Sequence, residues 1–120
     1  MIDSKEFFID LVNAIPSGTE WLFQSSYASF FEAIKGIPVV NESSVFKIDF
    51  QDLYRKQLSD LANDNLFECI NDFEVRETGK KILEAYDGFV IVTLSRDFKI
   101  ERTRLSKYLN NDLLFISDEW

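Results

Sequence analysis

Asp60, Asp64, Glu68 and Asp72 recur at every fourth position of the chain. On a continuous helix, side chains four apart stack on one face about 6 Å from each other. The spacing therefore predicts an acidic ridge. Successive phosphates of a nucleic-acid strand are separated by a comparable distance, so such a ridge would suit the basic substrate groove of a nuclease. Like charges four apart also cost an exposed helix roughly 0.2–0.5 kcal/mol per pair, a penalty that a binding role would explain. The alternative is a solvated face opposite Leu61, Leu66, Phe67 and Ile70. Asn63-Asp64-Asn65 is the point at which the helix would break and split the ridge into two pairs.

A second group of candidate contact residues is Asp118, Glu119 and Trp120. Here an aromatic anchor follows two acids and adds its own α-carboxylate, and Trp is enriched among residues that dominate interface energies. Its alternative role is to fold back and cover the sheet edge.

The residues available for catalysis are few. The chain has no histidine and one cysteine, so no Ser-His-Asp or Cys-His arrangement, imidazole ligand or thiolate zinc site can be assembled from it. No Gly-rich phosphate loop is present. Cys69 stands beside Glu68, which would raise a thiol's pKa, and it reads as a small buried hydrophobe. Carboxylate chemistry remains, with Asp49 and Asp52 at a strand-to-helix junction as the nearest approach to a Mg²⁺ site. An Asp at that place is more often a helix cap. Lys80 and Lys81 are accounted for by surface pairing with Glu77 and Glu84. We expect neither an enzyme nor a bound cofactor or metal.

Charge points to a kind of partner. Asp and Glu number 21 against 13 Lys and Arg, a formal net charge of −8 on 120 residues. Such a surface repels nucleic acid and anionic lipid and draws cationic proteins toward it, although acidity also serves solubility alone. The run from Arg96 to Lys107 is a basic exception. It lacks the interleaved aromatics of RNA-binding strands and reads as an internal counterweight, with Arg102 and Arg104 able to grip the acidic tail.

These groups need a scaffold, and the hydrophobic pattern supplies one. Apolar residues make up 46% of the chain, twelve of them Phe, which is enough to build a core. The length suits a single globular domain over 1–120. No apolar run is long enough for a membrane helix and no secretory leader is visible, so a cytoplasmic protein is expected.

Helical spacing covers Ser4–Ile15, with Asp3 or Ser4 as cap, and a second segment from Ser25 or Ser26 that carries Tyr27, Phe30, Phe31 and Ile34 as far as Gly36. A helix from Gln51 weakens at Asn63-Asp64-Asn65, another is expected over Glu74–Tyr86, and a short one over Glu101–Leu109. Strands are expected at Thr19–Gln24, Ser44–Phe50 and Leu113–Ile116, with Phe89–Leu94 as a central strand covered on both faces. The sum is an α/β or α+β fold with one small mixed sheet of about 3–5 strands and helices on at least one face.

In general character (small, acidic, mixed α/β, without catalytic groups) the chain resembles bacterial immunity proteins that neutralise toxin nucleases. The resemblance is one of type and rests on no shared motif. It implies an inhibitor, monomeric or dimeric, that binds a basic toxin domain and blocks its active site. Two other readings follow from the same composition. One is an acidic, dimeric chaperone of a secreted effector, with an exposed apolar patch or groove for which the Phe-rich first helix is one candidate. The other is a carboxylate- and Mg²⁺-dependent enzyme.

Overall fold

Asp3 opens the first helix by accepting hydrogen bonds from the amides of Lys5 and Glu6, which satisfies donors that a helix start leaves free. The computed structural model describes residues 3–42, 45–98, 104–109, 114–117 and 120. Helix α1 is Ser4–Ala14 and buries Phe7, Phe8, Leu11 and Val12. Its far end is closed from a distance: Arg55 donates to the Val12 and Ile15 carbonyls at 2.8 Å each. A cation at a helix C-terminus also answers the helix dipole. Strand β1 (Thr19–Phe23) follows, then α2 (Ala28–Ala33), the short strand β2 (Val40–Glu42) and β3 (Val45–Phe50). A 3-10 turn over Asp52–Tyr54 leads into α3 (Arg55–Ser59) and a longer 3-10 segment over Asp60–Cys69. Strands β4 (Asp72–Glu77), β5 (Lys80–Tyr86) and β6 (Ile91–Ser95) come next, then a 3-10 segment over Arg104–Tyr108 and β7 (Leu114–Ser117).

The architecture is α+β, with seven strands in one sheet in the order β2-β3-β1-β4-β5-β6-β7. Every pairing is antiparallel except β6 with β7, which is parallel. The expected sheet was too small because Val40–Glu42 adds a short edge strand and Glu74–Tyr86 is a hairpin and not a helix. Thr78 and Gly79, both at positive φ, form a two-residue turn of the kind that matches strand twist. The helical spacing of Val75, Ile82, Leu83 and Tyr86 has a different origin. A bulge in the β4–β5 register leaves Ile82 and Leu83 both buried, which breaks the period of two. Lys80 and Lys81 accordingly sit on a strand. The run at Phe89–Leu94 begins its strand only at Ile91, after a buried Phe89 in the turn, and within the strand Val92, Leu94 and Ser95 are buried while Ile91 is exposed. From Ile91 to Leu94 it is covered on one face and not on both; at Ser95 the other face is covered as well.

The buried face packs against α1, α2 and the 3-10 segments through a continuous series of rings. Phe8 stacks on Phe67 with centroids 4.7 Å apart and meets Phe89 at 5.1 Å. Phe89 meets Phe73 at 4.9 Å, Phe73 meets Trp21 at 5.1 Å, and Trp21 stacks on Phe50 at 4.6 Å. The opposite face carries the alternate residues of the same strands, half-buried or exposed apart from the buried Ser95.

Candidate partner-binding face

Along β4, Phe73 and Val75 turn inward, so Asp72, Glu74 and Arg76 must project from the open face. Register extends this set across the sheet. Leu22 lies opposite both Lys47 and Glu74, Glu74 opposite Glu84, Glu84 opposite Thr93, and Thr93 opposite Phe115. One row over, Asp72 faces Tyr86 and Tyr86 faces Ile91. Tyr86, Ile91 and Phe115 are each close to half exposed. They form an apolar strip beside carboxylates on a surface without a described helix above it.

Most charges on this face are answered within it. Arg76 pairs with Glu74, and Lys81 lies 2.6 Å from Glu84 and 3.6 Å from Glu74. Tyr86 donates its phenol hydrogen to Glu84. Burial works against ionisation of Glu84, but the hydrogen bonds from Lys81 and Tyr86 outweigh it and hold the carboxyl below its usual range. The bond to Glu84 raises Lys81 and, with partial burial and the nearby charges of Asp72 and Glu74, pushes Tyr86 up to about 12. Asp72 has no cationic partner among the described residues.

Where the strands end, the fold adds a second acidic surface. Asp87 and Gly88 donate to the carbonyls of Asn71 and Ile70 at 2.8 and 2.9 Å, so the β5–β6 turn lies against the segment that enters β4. Asp87, Gly88 and Phe89 all take positive φ, 51°, 72° and 71°. A left-handed non-Gly residue costs about 1–2 kcal/mol. Burying a Phe side chain returns roughly 1.5–3 kcal/mol, and Phe89 is only 5% exposed against Phe8 and Phe73. Packing therefore decides this turn. It sets Asp87 and Val90 beside Glu68 around a hollow of about 370 Å³. A second hollow, of about 230 Å³, is lined by Leu22, Val45, Asp72, Glu84 and Tyr86, with Arg76 at its wall. Tyr86 lines this hollow and Asp87, the next residue, lines the first, which Ser4 and Phe7 of α1 also border.

The expected ridge is not formed. Asn63 leaves the helix with ψ at 133°, and Asp64 and Asn65 are left-handed, a conformation that Asn and Asp tolerate better than most residues. Asp60 is exposed and pairs with Lys56 at 3.2 Å, Asp64 sits at the break, Glu68 lies near the end of the segment, and Asp72 begins β4. Carboxylates spaced like phosphates along one helix face are thus absent from these four positions. What survives is the pair Glu68 and Asp72, which flank the β5–β6 turn. Asp118 and Glu119 lie outside the described residues. Trp120 is folded back onto the open face, where its carbonyl accepts from Ser95 Oγ at 3.2 Å and its ring lies 4.9 Å from Lys81 Nζ.

Sequence reasoning missed Glu84, Tyr86, Asp87, Ile91 and Phe115. The strict alternation of Asp72-Phe73-Glu74-Val75-Arg76 was the signal for an open-faced strand, and Asp87-Gly88 was the signal for its turn. At the other candidate carboxylates, Asp52 is held by Arg55 at 2.5 Å while Asp49 projects from β3. Among the described residues, no three His, Cys, Asp or Glu side chains gather as a metal-ligand set. Arg104 lies 4.0 Å from Asp10 of α1. No described helix is long and apolar enough to cross a membrane. Compared with known proteins, the chain matches no family model, no curated protein and no solved structure.

Proposed function

We propose that this chain is an acidic protein-binding module that neutralises a basic toxin nuclease in the cytoplasm by covering its active site. The observation that carries the reading is the Tyr86 corner. An exposed aromatic and aliphatic strip, Tyr86, Ile91 and Phe115, has Asp72 opposite Tyr86, Asp87 next to Tyr86 in the chain and Glu68 beyond it against the Gly88 turn; none of the three carboxylates has a cationic partner among the described residues. Protein interfaces concentrate their energy in aromatic anchors ringed by polar groups. A rim of carboxylates on a body of charge −8 selects a cationic partner and speeds its approach. The contact thus moves from a helix ridge to the sheet, and it retains Glu68 and Asp72.

The rival reading as an effector chaperone called for a dimer with an exposed apolar patch or groove, the first helix being one place for it. That helix buries Phe7 and Phe8 and exposes Ile9, so the apolar strip on the sheet is the larger exposed surface. The test is affinity capture on the tagged protein from host cells, elution by a salt gradient, and assay of the eluted partner for nuclease activity. The proposal expects one basic protein whose activity is abolished at equimolar ratio. A retained partner whose activity is unchanged by this protein would overturn it.

A further inference from the structure

We propose that the 230 Å³ hollow on the open sheet face receives an arginine side chain of the partner protein. The inference rests on the protein-binding reading above and assigns its central contact. Glu74 is engaged by Arg76 and Lys81, and both oxygens of Glu84 are engaged, by Lys81 and by the Tyr86 hydroxyl. Asp72 is the carboxylate in the hollow without a cationic partner among the described residues. It stands directly opposite Tyr86 across the β4–β5 ladder, where facing side chains are about 5 Å apart. Because its hydroxyl is committed to Glu84, Tyr86 has its ring left as a wall, and Leu22 and Val45 form the apolar side across from it.

A carboxylate beside an aromatic wall, with an aliphatic surface facing it, matches one side chain best. Guanidinium is planar, forks onto a carboxylate through two hydrogen bonds and stacks on an aromatic face, and its methylene stem lies along apolar surface. Lysine offers a compact, strongly hydrated charge that can use Asp72 but gains less from the ring. Arg76 is the group that opposes entry, yet Glu74 already answers its charge. The hollow therefore recognises arginine over lysine.

The test is a two-dimensional NMR titration of the full chain with N-acetyl-argininamide, run beside N-acetyl-lysinamide. The expected result is saturable shift changes confined to the amides around Leu22, Asp72 and Tyr86, with arginine bound more tightly. Asp72→Asn and Tyr86→Leu should each weaken that binding roughly fivefold or more, while core amide shifts show both variants folded. Shifts spread evenly over the acidic surface, equal binding of the two amides, or unchanged binding by the variants would each overturn the proposal. Failure here is separable from failure of the broader reading. If a captured nuclease is inhibited as tightly by Asp72→Asn as by the parent, the hollow is wrong and the inhibitor stands. If no nuclease is inhibited, the inhibitor falls whatever the arginine titration gives.

Discussion

Asp10 is a carboxylate only 5% exposed in the middle of α1, and its partners come from the far end of the chain. Tyr108 donates its hydroxyl to Asp10 Oδ2 at 2.7 Å, Lys107 lies at 3.4 Å from the same oxygen, and Arg104 at 4.0 Å from the other. Lys107 also reaches Glu6 at 2.7 Å, and that hydrogen bond raises its pKa. Burial first, and the bond to Asp10 second, push the Tyr108 phenol up to about 12. A group whose folded pKa is raised contributes stability in full below its unfolded value, near 10, and loses it as pH climbs through 12. Tyr108→Phe leaves Asp10 buried without its charge-assisted bond and should cost about 1–3 kcal/mol at pH 7. The variant should also lose less stability than the parent between pH 10 and 12. Urea unfolding at pH 7, 10 and 11.5 checks both points, and parallel pH curves would show that another group governs the alkaline limb. The basic island around Lys107 was legible in the sequence as an internal counterweight. Its partners on α1 were not, because a contact across ninety-odd positions leaves no local pattern.

At the scale of elements, the hairpin β4–β5 and the turn after it shape the candidate face, and their two glycines differ in a testable way. Gly79 and Gly88 both have positive φ, 81° and 72°. A Cβ on Gly79 would meet nothing within 4 Å, whereas one on Gly88 would lie 2.9 Å from Glu68 Cα and 3.0 Å from its carbonyl oxygen. Gly79→Ala should therefore cost only the backbone strain of about 1 kcal/mol. Gly88→Ala adds displacement of the Glu68 backbone and should cost about 1–3 kcal/mol more, together with faster hydrogen exchange at the Asp87 and Gly88 amides. Equal urea midpoints for the two variants would mean that the turn is free to move from Glu68. The same elements show what sequence pattern could and could not convey. Helix α1 and strands β1 and β3 were readable because each keeps one period along its length and ends on a clear signal. The β4–β5 hairpin was misread because the bulge before Leu83 imitates helical spacing. The 3-10 segment at Asp60–Cys69 keeps a helical pattern of buried residues while left-handed Asp64 and Asn65 interrupt its backbone, so the acidic spacing survived in sequence and not in space.

For the whole molecule, the decisive quantity is charge that remains after internal pairing. Lys47, Arg55, Lys56, Arg76, Lys80, Lys81 and Lys107 each have a carboxylate within reach, so the basic residues are largely spent inside the protein. The excess acid is left to face solvent, and with it a field that acts over about 8 Å at physiological ionic strength. Such a field governs encounter more than residence. On the proposed reading the apolar strip at Tyr86, Ile91 and Phe115 would govern residence, because apolar burial responds little to moderate salt. Raising NaCl from about 0.05 to 0.5 M should thus slow association with the basic partner tenfold or more and leave the dissociation rate within about twofold. Tyr86→Leu should do the reverse, with dissociation faster and association nearly unchanged. Surface-immobilised kinetics at several salt concentrations separates the two effects. If salt instead accelerates dissociation in proportion, the carboxylates themselves form the centre of the contact, and the aromatic strip belongs to its rim.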